Sequence, residues 1–272
     1  IENFEIEIEL NNKQIQDQNL SNDKLLPMLK NVIKYVLIGL QESNYPISIS
    51  EQNQVLHNYL QIIKNQDYKE STKPSNKDFI GPSSNTLQMI NLLPESEIND
   101  TNRSLANIRK NYTVTEKADG MRKLLFISDS GKIYFITMNM NLQFSGCINE
   151  DKELFNTIID GEHILHNKRG EYINLFACFD IYFLNKKNLT GLPFVNIKSK
   201  QEESPDEETK KSKKDENYRL VILNTLVTQL KLISVTDSSK EPHLNIKVKT
   251  FYGSDIFGGC KTILDRINDG LF

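Results

Sequence analysis

The chain opens on strict alternation. In residues 3–10, NFEIEIEL, Phe4, Ile6, Ile8 and Leu10 fall on one side of an extended segment and Glu5, Glu7 and Glu9 on the other, which predicts a strand. Leu25, Leu29, Val32, Ile33, Val36, Leu37 and Leu40 then recur at helical spacing, with Pro27 tolerable only near the first turn. Ser48-Ile49-Ser50-Glu51 has the form of a capping box and opens a second helix, with Val55, Leu56, Tyr59, Leu60 and Ile63 along one side. Residues 66–77, QDYKESTKPSNK, carry too little apolar surface to offset the entropy of ordering and read as a linker or exposed loop, with a domain boundary near residue 70. Beyond it, TVTEKADG, RKLLFISD, KIYFITMN, TIIDGEHIL, NLFACFDIYFL and LNIKVKTFYG are short β-branched or aromatic runs separated by Gly, Asn and Asp, the pattern of antiparallel strands. Residues 195–217 are charge-dense and almost without hydrophobes, which predicts a mobile insertion, and Tyr218 to Ser234 again shows a helical stripe. The pattern as a whole predicts an α+β chain with an N-terminal strand and helical connector over 1–70 and an antiparallel-sheet domain over 71–272.

Composition narrows the partners. The 272 residues hold 33 Lys and Arg against 36 Asp and Glu, a net charge of -3, so any polyanion has to be held by a local patch. Cys147, Cys178 and Cys260 lie far apart, without a CxxC spacing, which suggests neither a zinc knuckle nor a disulfide framework and fits a reducing compartment. No apolar run approaches the roughly 18 to 20 residues that cross a bilayer, so no membrane partner is expected. Ile rather than Met at position 1 reads as a fragment or a processed product.

Candidate chemistry concentrates in Glu116-Lys117-Ala118-Asp119-Gly120-Met121-Arg122, at the mouth of a predicted strand, with Gly120 a position at which the chain can turn sharply. Lysine becomes a nucleophile only when its amine is deprotonated, which burial or a neighbouring cation brings about. Arg122, or a metal ion held by carboxylates, is a candidate for that neighbouring charge. A second acidic pair, Asp160 and Glu162 around Gly161, follows another apolar run. Cations that neutralise a transferring phosphoryl group and carboxylates that hold Mg²⁺ suit attack on a nucleoside triphosphate. An exposed, solubilising role for Lys117 stands as the alternative.

The stretch EKADGMR resembles the KxDGxR motif of the covalent nucleotidyltransferases, the superfamily of mRNA capping guanylyltransferases and ATP- or NAD-dependent polynucleotide ligases. IIDGEHI resembles the family's DGE element, LFACFDIYFL its apolar strand ending in an aspartate, and NDGLF its acidic-Gly element before a metal-binding strand. The resemblance implies that Lys117 attacks the α-phosphate and carries the nucleoside monophosphate through a phosphoramide bond. It implies nucleotide contacts at Glu116, Arg122 and Glu162, pocket support from Asp180, and divalent metal, Mg²⁺ or Mn²⁺, at Asp269. Asp119 is either structural or a participant.

Asp269-Gly270-Leu271 and the segment FIGPSSNTL, which resembles the Phe-Pro-Gly-Ser segment of capping enzymes with Ile80 in place of the proline, both point to GTP rather than ATP. The EIEIE run resembles the last metal-binding strand of a tunnel RNA triphosphatase, with Glu5 and Glu7 as metal ligands; its alternative is the wet side of an amphipathic strand. That combination resembles the fused triphosphatase-guanylyltransferases of large cytoplasmic DNA viruses. It implies GTP and 5′-diphosphate or 5′-triphosphate RNA as substrates, a cap methyltransferase domain or subunit as a possible companion, and a cytoplasmic site, in a viral factory or virion. An ATP-using ligase and a noncatalytic scaffold are the competing expectations.

The family's later Lys-x-Lys element and its OB-fold do not follow Phe272, so these residues alone are expected to be catalytically incomplete. Lys247 and Lys249 precede the acidic-Gly element, in the wrong order for that Lys-x-Lys role. His57 reads as surface or packing. His163 and His166 point to opposite faces of a strand and make no metal pair. Tyr252 to Cys260 lacks any phosphate-loop order and reads as a turn, and Lys210, Lys211, Lys213 and Lys214 read as a solvated loop beside their acidic neighbours.

Overall fold

Lengths and caps explain the first elements. In a computed structural model of the chain, residues 5–69, 71, 73–98, 105–196, 217–236, 244–253 and 255–268 are described. The chain divides into two compact units, Ile1–Pro46 and Ile47–Phe272. In the first unit, α1 (Asn12–Asp17) is capped by Asn11, whose side-chain oxygen accepts from the Gln14 N–H at 3.2 Å. Helix α2 (Asn22–Gln41) ends at Glu42 in the left-handed region, φ 49°, with its N–H on the Ile38 carbonyl. Pro27 lies just beyond the first turn of α2, which starts at Asn22.

The N-terminal strand expected from the alternation is not formed. Residues 5–10 have no regular structure, and Ile6, Ile8 and Leu10 are 57%, 38% and 51% exposed. Alternation supplies two faces, but a strand also needs a neighbour for its backbone N–H and C=O groups, and none among the described residues pairs with this run.

In the second unit, the expected cap of α3 (Ile49–Lys64) is half present. The Ser48 hydroxyl accepts from the Glu51 N–H at 3.1 Å. The Glu51 carboxylate does not close the box; its Oε1 accepts from Lys132 Nζ and from the Tyr134 hydroxyl, each at 2.7 Å. Glu51 therefore ties the helix to the sheet. Tyr59, fully buried, stacks edge-on against Phe126 at 5.9 Å and donates to the Asp78 carbonyl at 2.7 Å. The polar stretch after α3 is pinned at its far end, where Lys64 pairs with Asp78 at 2.7 Å. The break expected near residue 70 thus falls inside the second unit.

The β-prone runs other than TVTEKADG, of which only Val114 makes an isolated bridge to Tyr252, enter one eight-stranded sheet: β1 (Met121–Ile127), β2 (Lys132–Thr137), β3 (Leu142–Ile148), β4 (Thr157–His166), β5 (Tyr172–Leu184), β6 (Lys187–Asn188), β7 (Ile233–Ser234) and β8 (Asn245–Val248). Their spatial order is β6-β5-β4-β1-β2-β3-β7, all antiparallel, with β8 added parallel to the first part of β5. Residues alternate between two covered faces. One meets α3 through Phe126 and Tyr134; the other holds Leu125, Ile127, Ile133, Phe135, Ile159, Phe176 and Cys178 against Leu223 and Leu226 of α4 (Arg219–Gln229). The α+β, antiparallel-sheet expectation is met. Helix α5 (Ile256–Asn268) follows β8. Most of the expected insertion, residues 197–216, lies outside the described residues, and its two sides are joined by bonds from the Arg219 N–H to the Pro193 carbonyl and from Leu220 to Phe194, both 3.0 Å. Among the described residues no helix is long and apolar enough to cross a membrane.

This placement of α4 predicts that Leu223→Ala, a fully buried side chain in the core, lowers unfolding free energy by roughly 2–5 kcal/mol in urea titrations, whereas Asn224→Ala on the exposed side changes it by less than about 1 kcal/mol.

Candidate nucleotide site

The lysine motif is delivered by two anchors. On its N-terminal side Val114 and Tyr252 exchange backbone hydrogen bonds at 2.8 and 2.9 Å, and the Thr115 hydroxyl donates to the Thr250 carbonyl at 2.7 Å. On its C-terminal side β1 starts directly after Gly120. Gly120 does not serve the sharp turn expected from the sequence, since its φ is not in the left-handed region; a Cβ there would lie 2.8 Å from the Ile164 side chain and 2.9 Å from the His163 carbonyl. The glycine allows β4 to approach.

Between the anchors, Lys117 and Asp119 are exposed, and Glu116 is half-buried with its carboxylate 3.2 Å from the Thr115 hydroxyl. Among the described residues Lys117 makes no hydrogen bond or ion pair. The desolvated amine expected from the sequence is absent from this structure, because residues 115–119 lie outside the sheet and keep the side chain in solvent.

Register explains what surrounds the motif. Arg122 pairs with Glu162 and Leu124 with Asp160 across β1 and β4, while Asp160 pairs with Asp180 and Glu162 with Ala177 across β4 and β5. Directly paired residues share a face, so these acidic and basic groups converge on the face that α3 also meets. Asp160, wholly buried, accepts from Arg122 Nε at 3.1 Å, from Arg122 Nη2 at 2.6 Å and from the Tyr182 hydroxyl at 2.6 Å. Burial pushes the Asp160 carboxyl above its ordinary range, with the Arg122 and Tyr182 hydrogen bonds pulling it back. Arg122 Nη1 donates to the Pro82 carbonyl at 2.8 Å, and Phe79 and Phe179 flank the guanidinium at 5.5 and 5.7 Å. The chain at Gly81, φ 123°, lies so close that a Cβ would fall 2.5 Å from Arg122 Nη2.

Glu162 differs from Asp160. Its Oε2 is buried and has no hydrogen-bond partner among the described residues, a costly state for a carboxylate oxygen unless a ligand or water completes it. Asp180 is saturated: Arg219 Nε and Nη2 reach it at 2.8 and 3.0 Å and the Ile181 N–H at 2.8 Å, while Arg219 Nη1 also donates to the Leu192 carbonyl. It ties the start of α4 to β5. Lys247 of β8 lies beside Ala177, in the same row as Glu162 and Arg122. Among the described residues no group of three or more His, Cys, Asp or Glu converges on a metal position. Asp269 lies outside the described residues, and Glu5 and Glu7 are exposed in the first unit without strand partners.

The opposite face of the same strands holds a polar chain that sequence reasoning missed. Lys123 Nζ, almost fully buried, donates to Gln143 Oε1 at 2.7 Å and to His163 Nδ1 at 3.1 Å, and His163 Nε2 meets Asn174 Oδ1 at 2.8 Å. An ammonium has no acceptor, so Nδ1 accepts and Nε2–H donates. His163 also stacks on Phe135 at 4.4 Å. His166 is exposed and edge-on to Tyr172, whereas His163 is buried. Tyr182 was readable as the second residue after Asp180, on the same side of a strand; Lys123 looked like one more base beside Arg122, and nothing local marked Arg219.

With this geometry, comparison with known proteins gives two findings. The family described as mRNA capping enzyme, catalytic domain, matches residues 100–255, more than half of the chain, taking in the lysine motif, the DGE element and β8 but stopping short of Asp269. The chain is also similar to the probable mRNA-capping enzyme of Acanthamoeba polyphaga mimivirus, 27% identical over 271 residues, which covers 98% of this chain and 18% of that relative. The chain thus spans less than a fifth of the relative's length.

Burial, partly offset by Asn174 and reinforced by the charge on Lys123, lowers the His163 pKa from 6.5 to about 4. The fold therefore holds His163 neutral, and the unfolded chain takes up a proton first as pH falls. The stability this contributes is whole above about pH 6.5 and is lost between 6.5 and about 4, amounting to about 2 kcal/mol between pH 7 and 5. Urea unfolding at the two pH values should show that loss, and His163→Gln should remove that share of it.

Proposed function

The chain belongs to the mRNA capping enzyme catalytic domain family, and from that premise we propose that it carries the guanylyltransferase step of capping. In this reading Lys117 attacks the α-phosphorus of GTP, the Pα–O–Pβ bond breaks, pyrophosphate leaves and a phosphoramide to GMP remains on the lysine. The amine proton passes to solvent, which its exposure permits. A second displacement by the terminal phosphate of diphosphate-ended RNA then restores the free lysine.

The single observation that carries the reading is Glu162: a buried, unpartnered carboxylate oxygen on β4, paired in register with the arginine of the lysine motif. A ribose hydroxyl is a donor of the right kind for it. Arg122 directs three of its five N–H donors to Asp160 and Pro82 and also interacts with the Tyr182 hydroxyl, so at most two donors remain for a nucleotide. Glu116 stands beside the lysine and Asp180 braces the strand behind it.

For the divalent ion, Asp269 is the proposed protein carboxylate. Mg²⁺ and Mn²⁺ accept one or two carboxylates together with substrate phosphates and water, so a dedicated protein cage is not required. When bound, the ion supplies charge neutralisation on the triphosphate. The triphosphatase role for Glu5 and Glu7 requires neighbouring strands that the described residues do not supply, and with a cap methyltransferase companion it is proposed for the whole polypeptide only.

Incubating the full-length protein with α-labelled GTP or ATP and Mg²⁺ tests the reading. Label from GTP should stay on the protein through denaturation, and Lys117→Ala should abolish it. Glu162→Gln should lower the labelling efficiency roughly 10- to 100-fold, the worth of a hydrogen bond to a charged group. Label from ATP alone would favour a ligase, and no adduct from any nucleotide would favour a scaffold.

A further inference from the structure

Asp160, Arg122 and Tyr182 come from three strands, and the chain at residues 79–82 closes over them. Asp160 Oδ2 receives two donors at 2.6 Å, one from Arg122 and one from Tyr182, so the hydroxyl and the guanidinium compete for the orientation of one carboxylate group. Arg122 in turn holds the Pro82 carbonyl, and Gly81 packs against the same three groups, a Cβ there falling 2.5 Å from Arg122 Nη2, 2.8 Å from the Tyr182 hydroxyl and 2.9 Å from Asp160 Oδ2.

We propose that Tyr182 is a positioning residue for nucleotide binding: its hydroxyl fixes the Asp160 carboxylate, which fixes the Arg122 guanidinium and, through Pro82, the 79–82 segment beside it. This rests on the guanylyltransferase reading, in which Arg122 meets the nucleotide. Tyr182 itself touches no substrate. Its side chain is buried against Asp160, and its effect reaches the nucleotide only by way of Arg122.

The geometry separates this role from ordinary packing. Tyr134, on the same face, is also buried and donates to a carboxylate at 2.7 Å, but that carboxylate is Glu51 of α3, which has no bond to Arg122. Tyr134→Phe removes a comparable hydroxyl without entering the Arg122 chain.

The test measures KM for GTP and the maximal rate of covalent labelling in the full-length protein. Tyr182→Phe should raise KM about three- to tenfold and leave the maximal rate within about twofold, while Tyr134→Phe changes neither beyond about twofold. In a double-mutant cycle, Tyr182→Phe should add nothing to the KM of Arg122→Ala, because the tyrosine acts through the arginine. An unchanged KM for Tyr182→Phe, an equal rise in Tyr134→Phe, or full additivity with Arg122→Ala overturns the proposal while leaving the function intact. Labelling by ATP in place of GTP overturns the nucleotide assignment, and the same cycle is then read on ATP. A wild-type protein that no nucleotide labels takes down both.

Discussion

A carboxylate with no contact with water has to be supplied with donors from somewhere, and in this chain the supply determines which parts of the sequence meet. Asp160 draws Arg122 from β1 and Tyr182 from β5, and Arg122 brings the Pro82 carbonyl with it. Residues 79–82, 121–122, 160 and 182 are thereby joined at one point. Breaking such a buried pair from one side leaves an uncompensated charge, which is far more costly than the modest net gain of forming it. Both signature motifs, the lysine stretch and the DGE stretch, therefore spend one residue each on holding themselves together.

Strand alternation then lets neighbouring residues do separate jobs. Arg122 and Glu162 face the candidate site, while Lys123 and His163, one position further on, face the core and complete a closed polar chain with Gln143 and Asn174. Slipping β1 against β4 by one residue would bury the site residues and expose the core ones. The polar chain on the far side thus fixes the register that the near side requires. It also makes the site sensitive to acid, since a protonated His163 could no longer accept from Lys123.

Much of this was legible. Short β-branched and aromatic runs between Gly, Asn and Asp located most strands of the sheet, and the stripe of Val55, Leu56, Tyr59 and Leu60 located α3. Local pattern failed where the outcome depends on a distant partner. Residues 5–10 alternate perfectly and form no strand, since none of the described residues pairs with them. Glu51 has the spacing of a capping residue but finds a better arrangement with Lys132 and Tyr134, some eighty positions away. Gly120 reads as a turn and proves to be a contact with β4. Arg219, which saturates Asp180, lies beyond the charged stretch and carries no signal of its own.

The bonding state of each candidate residue separates frame from site. Asp160, Asp180 and Arg219 already have partners for their charge, and a ligand that claimed one of them would first have to break a hydrogen bond made by a charged group. Lys117 and the Glu162 Oε2 are in the opposite condition: one free in solvent, the other buried and unsatisfied. Binding that gives Glu162 a donor recovers a cost already present in the free protein, and binding that engages Lys117 displaces only water. Arg122 lies between the two groups, since at least three of its five donors are committed to Asp160 and Pro82. On the proposed reading, ligand recognition on this face would rest on Lys117, Glu162 and Arg122, with the hydrogen-bonded carboxylates Asp160 and Asp180 as the frame around them.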